Sequence, residues 1–145
     1  MRTSTVFGLS ACLFLLLSST TVASAQAPMA DLKIEHDPGR RSEKALVLAE
    51  SAFDNARDLY EKGEIQKGDA QLEDMTNALN ECVASLDLAH KAKSYKKAEM
   101  RVATLIRRMD SLVEDIEVQK RGWAEYTQKK LEGIHDKLLE GVMRK

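Results

Sequence analysis

The chain has 145 residues, of which 43% are hydrophobic and 31% are charged, and its formal net charge is −1. A charge so close to balance argues against a nucleic-acid-binding surface and against an acidic tail. The length suits one small domain with its own apolar core.

The first 25 residues are typical of a secretory signal peptide. Arg2 supplies a positive start, an apolar stretch runs from Val6 to Leu17, and Ala23-Ser24-Ala25 forms the small-x-small pattern that precedes cleavage. The apolar stretch is too short to span a bilayer of about 30 Å. We therefore expect cleavage after Ala25 and a periplasmic or secreted protein with no membrane span.

Two other interpretations of this segment stay open. One is a buried N-terminal helix. The other is lipidation of Cys12, because Leu9-Ser10-Ala11-Cys12 resembles a bacterial lipobox. Most of the apolar stretch follows Cys12, whereas a lipobox follows its apolar stretch, so cleavage after Ala25 is favoured. Cleavage would leave Cys82 as the one cysteine, which precludes an intrachain disulfide.

Residues 26–36 show no clear period, so residues 26–41 are predicted to be an irregular N-terminal segment, and residues 42–145 are predicted to form one helical domain. Asp37-Pro38-Gly39 is a helix start signal, and no proline follows Pro38. Helix 1 is predicted from about Ser42 to Lys62, and Gly63 is expected to provide a left-handed C-terminal cap. Its apolar stripe has 4-3 spacing: Ala45, Ala49, Ala52, Ala56 and Leu59.

The segment around the end of helix 1, about residues 42–80, resembles a single tetratricopeptide hairpin. Four positions match the pattern of that family: Leu59, Tyr60, Gly63 and Leu72. Gly68 and Met75 depart from it, and no second copy follows. The resemblance implies a helical hairpin but no peptide-binding groove, because a solenoid needs about three stacked repeats.

Helix 2 is predicted from about Gln66 to Lys91, and helix 3 from Tyr95 to Met143. The apolar residues of helix 3 alternate four and three apart as far as Tyr126, which is typical of a coiled-coil seam. The apolar phase changes after Lys91, which indicates a turn between the two helices. One continuous helix is the alternative there, and a bend between Gly122 and Gly133 is the alternative within helix 3.

These elements predict an all-α fold, an antiparallel three-helix bundle with a long, coiled-coil-like C-terminal helix. Helix 3 would be about 73 Å long at 1.5 Å per residue, so its end would outrun helices 1 and 2. That end is apolar and must be covered by another surface. We expect an oligomer interface at Trp123, Tyr126, Leu131, Ile134 and Leu138. The alternative is a four-helix bundle in which this segment folds back.

Charges are segregated along the middle of the chain. The segment 69–89 contains five acidic residues and no base, and the segment 91–108 contains seven bases and one acid. The two segments could neutralise each other across an antiparallel contact. The functional hypothesis is a patch for an anionic partner, formed by Lys93, Lys96, Lys97 and Arg101.

No motif for catalysis or cofactor binding is present in the sequence. Glu132 and His135 have the spacing of a di-metal bundle, but a second Glu-x-x-His is absent. A non-covalent haem could use Met29 with His135, although methionines at helical spacing are usually core residues. Cys82 lies in the apolar stripe of helix 2, so a nucleophilic role is disfavoured. We expect no enzymatic activity, no cofactor and no metal.

The leading functional hypothesis is therefore a non-catalytic, exported helical interaction or scaffold protein that self-associates or binds another helical protein. Two alternatives stay open. One is an exported four-helix bundle that carries a cofactor such as haem, and the other is a periplasmic chaperone-like helical protein.

Overall fold

The structure, a computed structural model, describes residues 26–144, with side chains from Met29 onward. These residues form five α-helices and no strand: α1 Gln26–Ile34, α2 Pro38–Glu61, α3 Ile65–Ala89, α4 Ala92–Asp115 and α5 Gly122–Met143. The prediction of an all-α fold is confirmed. The predicted signal peptide and Cys12 lie outside the described residues.

The first difference from the prediction is α1, which forms where an irregular segment was expected. Leu32 is 3% exposed, and Met29 is partly buried against the core. Glu35 fixes the corner after α1: its carboxylate accepts a hydrogen bond from Lys44 Nζ at 2.7 Å, and its carbonyl accepts one from Arg41 Nε at 2.8 Å. A helix of nine residues is marginal in isolation. The contact with α2 therefore stabilises α1. The sequence did not predict α1 because the apolar periodicity of its nine residues is weak.

The ends of α2 carry the signals seen in the sequence, although the helix begins at Pro38 and not at about Ser42, so residues 38–41 are helical and not irregular as predicted. Asp37 caps its start by accepting a hydrogen bond from Arg40 N at 2.8 Å. Pro38 occupies the first turn of α2. Backbone N–H groups there have no partner within the helix, so proline loses no hydrogen bond at this position. Gly63 has a φ of 76°, a left-handed conformation that glycine adopts without strain. The predicted start signal and the predicted turn glycine are both confirmed.

A turn separates α3 from α4, so the alternative of one continuous helix is wrong. His90 ends α3 in a left-handed conformation with a φ of 50°, and its N–H donates to the Leu86 carbonyl. Lys91 is extended, and α4 begins at the next residue. The change of apolar phase in the sequence identified this turn correctly.

The prediction of one helix from Tyr95 to Met143 is also wrong. Ile116 adopts an extended conformation with a ψ of 137° and ends α4, and α5 begins at Gly122. The second segment folds back and packs against both α4 and α3. The physical reason is burial of its apolar stripe within the same chain, because each fully buried large aliphatic side chain contributes about 1.5–3 kcal/mol.

The four long helices share one apolar core. Backbone packing is closest between α2 and α3 and between α4 and α5, and the two hairpins meet through α3–α5 and α2–α4 contacts. Trp123 contacts Asp69 near the starts of α5 and α3, and Arg144 pairs with Asp87 near their ends, so α3 and α5 run parallel. All four helices contribute fully buried side chains: Phe53, Leu72, Met75, Leu79, Leu105, Met109, Leu131 and Leu138.

Two tyrosine rings pack on glycines, one near the start of α3 and the other near the end of α5. Tyr60 covers Gly68, where a Cβ would lie 3.0 Å from the ring. Tyr95 covers Gly141 of α5 and donates a hydrogen bond from its hydroxyl to Asp87 Oδ1 at 2.5 Å. Burial and this carboxylate raise the pKa of Tyr95 to about 12. The glycines therefore allow α3 and α5 to approach the rings closely.

Candidate interaction surfaces

The five residues of the predicted oligomer interface separate into two groups. Leu131 and Leu138 are fully buried and Ile134 is 5% exposed, so these three side chains belong to the core of the single chain. The prediction that they contact a second copy is wrong, because α5 folds back instead of extending into solvent. Trp123 and Tyr126 are 38% and 48% exposed and stay at the surface.

The two exposed aromatic residues form one surface with Lys130, which we call the aromatic edge. The ring centroids of Trp123 and Tyr126 are 5.3 Å apart with a tilt of 49°, a favourable geometry for an aromatic pair. Lys130 Nζ lies 4.7 Å from the centroid of Tyr126. Trp123 Nε1 donates a hydrogen bond to the Asp69 carbonyl at 3.1 Å, which fixes the indole at the α3–α5 border.

The predicted anionic-partner patch is engaged mostly within the chain. Arg101 donates two hydrogen bonds to the carboxylate of Glu50, from Nε at 2.7 Å and from Nη2 at 2.6 Å. Lys97 pairs with Glu43 at 2.5 Å. Both acids lie on α2, whereas the neutralisation hypothesis expected acids of the α3 segment. These bases therefore join the two hairpins along the α2–α4 border.

The other two lysines of that patch, Lys96 and Lys93, differ in their ion pairing. Lys96 Nζ lies 2.8 Å from Glu99 one turn later on α4. Lys93 is exposed and forms no ion pair within residues 26–144. Of the four predicted residues, Lys93 is thus the one without an ion-pair partner in the described part of the chain.

The histidine of the predicted Glu132–His135 pair has a different partner in the structure. His135 Nε2 lies 3.0 Å from Glu99 Oε1, so its partner is on α4 and is not Glu132. The hydrogen bond from Lys96, and to a smaller extent that from His135, holds the pKa of Glu99 below its usual value despite burial. Within the described residues, no group of three or more His, Cys, Asp or Glu side chains could hold a metal ion.

Cys82 is buried in the core and forms no disulfide bond within the described residues. Burial raises the pKa of its thiol to about 12. The thiolate is the reactive form of cysteine, so this side chain has little nucleophilic character at neutral pH.

A groove of about 480 Å³ lies beside α1 on the outer face of α2. We call it the α1–α2 groove, and its lining residues are Asp31, Leu32, Glu43, Lys44, Val47, Leu48 and Ser51. Val47 is 58% exposed although it lies in the middle of a long helix. The groove was missed in the sequence because it exists only where α1 packs on α2. The spacing of Met29 and Leu32 was the one available signal.

No helix within residues 26–144 combines the length and the apolar character needed to cross a bilayer. Comparison with known proteins finds no matching family model, no similar curated protein and no similar solved structure. The tetratricopeptide resemblance of the α2–α3 hairpin therefore stays a prediction from the sequence.

Proposed function

We propose that the protein is a non-catalytic helical interaction or scaffold protein that is exported, cleaved after Ala25 and self-associates. The observation that carries this proposal is the aromatic edge. A small domain that places Trp123 and Tyr126 side by side on its surface exposes the residue types that dominate interface energetics. Large aromatic side chains gain free energy when they are removed from water, so their exposure supports a surface that a partner covers.

The proposal includes a four-helix bundle as the architecture, in which α2, α3, α4 and α5 enclose the core and α1 is an accessory helix on the outside. Side chains from all four long helices in one buried cluster support this description. Such a bundle provides rigid helical faces, and a rigid face binds a partner with little ordering cost.

Self-association is proposed through the aromatic edge alone, since the three aliphatic residues of the predicted interface are in the core. Closed two-fold pairing is the commonest symmetry of soluble oligomers. In a two-fold pair the aromatic edge would pack against its own copy. Lys130, which lies over the Tyr126 ring, would then be at the polar rim of the contact.

Analytical ultracentrifugation of the wild type and two variants tests this proposal. Tyr126→Glu places a charge in the aromatic edge, so we expect the wild type to be a dimer and this variant to be a monomer. Leu88→Glu is the matched control, because Leu88 is 63% exposed near the other end of α3 and should leave the dimer unchanged. A wild type that sediments as a monomer at micromolar concentration would refute self-association.

A further inference from the structure

The connection between α4 and α5 is longer than the other connections between helices of residues 26–144. It has six residues, 116–121, whereas the others have two or three. Residues 117–120 are all exposed, and the Val118 side chain is among the most exposed apolar ones of the described chain, at 68%. Exposed connections of this kind are the preferred sites of proteolytic cleavage in folded proteins.

The connection ends on a pair of adjacent bases, Lys120 and Arg121. Residues 26–144 contain five such pairs, and the other four lie within helices: Arg40–Arg41, Lys96–Lys97, Arg107–Arg108 and Lys129–Lys130. An endoprotease binds its substrate in an extended conformation, so a bond inside a helix is cut only after that part of the helix opens. The fold therefore protects four of the five pairs and presents Lys120–Arg121.

The bond between Arg121 and Gly122 lies where the connection meets the first turn of α5. The first N–H groups of a helix have no partner within the helix, so this turn opens more readily than a turn in the middle. The Arg121 side chain is weakly held. Its Nε lies 2.7 Å from Glu125 Oε1 in a geometry that forms no hydrogen bond, and a partly exposed ion pair contributes little to stability. Nothing lies within 4 Å of the position of a Cβ on Gly122, which leaves space for an approaching enzyme.

Contacts beyond the first turn would hold α5 in place after a cut at this bond. Leu131 and Leu138 are fully buried in the core, and the Tyr95 ring packs on Gly141 near the end of the helix. These contacts extend over most of the length of α5 and do not involve the connection. A cut chain would therefore remain one folded bundle in which two segments associate without a covalent link.

We infer that the peptide bond between Arg121 and Gly122 is a processing site for a trypsin-like serine endoprotease, whose specificity pocket carries a carboxylate. That carboxylate would pair with the Arg121 guanidinium, and Lys120 adds a second positive charge beside it. Hydrolysis breaks the C–N bond: the hydroxyl group of water adds to the carbonyl carbon of Arg121, and the remaining proton goes to the nitrogen of Gly122. At neutral pH the products are a carboxylate on Arg121 and an ammonium group on Gly122.

The cut would also act on the start of the aromatic edge. Trp123 follows Gly122 directly, and its Nε1 donates to the Asp69 carbonyl at 3.1 Å. A positive charge at the start of a helix opposes the helix dipole, so the new ammonium group loosens the first turn of α5. The amide of Glu125, which donates to the Arg121 carbonyl at 2.9 Å, should therefore exchange its hydrogen faster in the cut protein.

The test is limited proteolysis of the purified protein by trypsin under native conditions, followed by intact-mass spectrometry. Within residues 38–144, we expect the first cut after Arg121. The two products should elute together in size-exclusion chromatography and separate in denaturant. Lys120→Gln combined with Arg121→Gln should slow the first cut at least about tenfold, because glutamine offers no charge to the specificity pocket.

The matched control is Arg107→Gln combined with Lys129→Gln. Both residues are exposed bases of helical pairs, so this variant has the same change in charge and should be cut at the wild-type rate. The protein recovered from the cells that produce it gives an independent measurement. We expect part of it to consist of one segment that ends at Arg121 and another that begins at Gly122.

Three results would overturn the processing site. They are a first trypsin cut inside a helix of residues 38–144, a wild-type rate for the variant that lacks both bases of the connection, and recovery of the uncut chain alone from the cells that produce it. Dissociation of the two segments after the cut would overturn the two-chain product. The rate of cutting can be measured on a monomer or a dimer, so these outcomes are independent of the self-association test.

Discussion

The ring of Tyr95 lies against the backbone of Gly141, in the space that a Cβ at position 141 would occupy. This contact joins the start of α4 to the end of α5, and the Tyr95 hydroxyl also donates to Asp87 of α3. One aromatic ring thus holds three helix ends together. The absence of a side chain at Gly141 is what allows the contact.

The first prediction concerns this contact. Gly141→Ala should lower the free energy of unfolding by about 1–3 kcal/mol, because the added methyl group overlaps with the Tyr95 ring. Gly133→Ala is the matched control on the same helix, since nothing lies within 4 Å of its added Cβ. It should be neutral or stabilise by up to about 1 kcal/mol. Urea unfolding measures both, and an unchanged midpoint for Gly141→Ala would contradict the packing.

The second prediction concerns the position of α5. Leu138→Ala should destabilise the protein by about 2–5 kcal/mol, because Leu138 is fully buried and its removal leaves a cavity. Leu88→Ala, at a residue that is 63% exposed, should change stability by less than about 0.5 kcal/mol. Thermal unfolding of the two variants makes the comparison. Similar melting temperatures would indicate that α5 does not pack on its own chain.

The third prediction concerns Cys82. Because the thiol is buried and its pKa is raised to about 12, alkylation should be slow in the native protein and fast in denaturant. A mass-spectrometric time course with iodoacetamide measures both rates. Equal rates in the two conditions would place Cys82 outside the core.

The fourth prediction concerns pH. The pKa of Glu99 is lowered in the folded state, so the ionised carboxylate stabilises the fold above the pKa of the unfolded chain. That contribution is lost as the pH falls through the lower, folded-state pKa. Between about pH 7 and pH 3, the wild type should therefore lose stability more steeply than Glu99→Gln. Parallel curves for the two proteins would rule out this contribution of Glu99.

The fifth prediction concerns processing. The exported protein should begin at Gln26, since Ala23-Ser24-Ala25 is a suitable cleavage site. The intact mass of the protein recovered after export decides this point. A lipid adduct on Cys12 would instead place the protein on a membrane.

The sequence by itself determined the all-α class, the helix start signal at Asp37 and Pro38, the turn at Gly63 and the separation of α3 from α4, although it placed the start of α2 at about Ser42 instead of Pro38. These features depend on local backbone chemistry and on apolar periodicity. Both are determined by residues that are close together in the sequence. The core position of Cys82 followed from the same periodicity.

Tertiary structure decided the break at Ile116 and the existence of α1. The 4-3 spacing continued through Trp123 and Tyr126 and so favoured one long helix, but the stripe that is buried in α5 is a different one: Ala124, Thr127, Leu131, Ile134 and Leu138. Local spacing cannot show which of two stripes will find a partner, because burial depends on where α3 and α4 lie. The α1–α2 groove was not predicted for the same reason, since it requires a short helix that its contact with α2 stabilises.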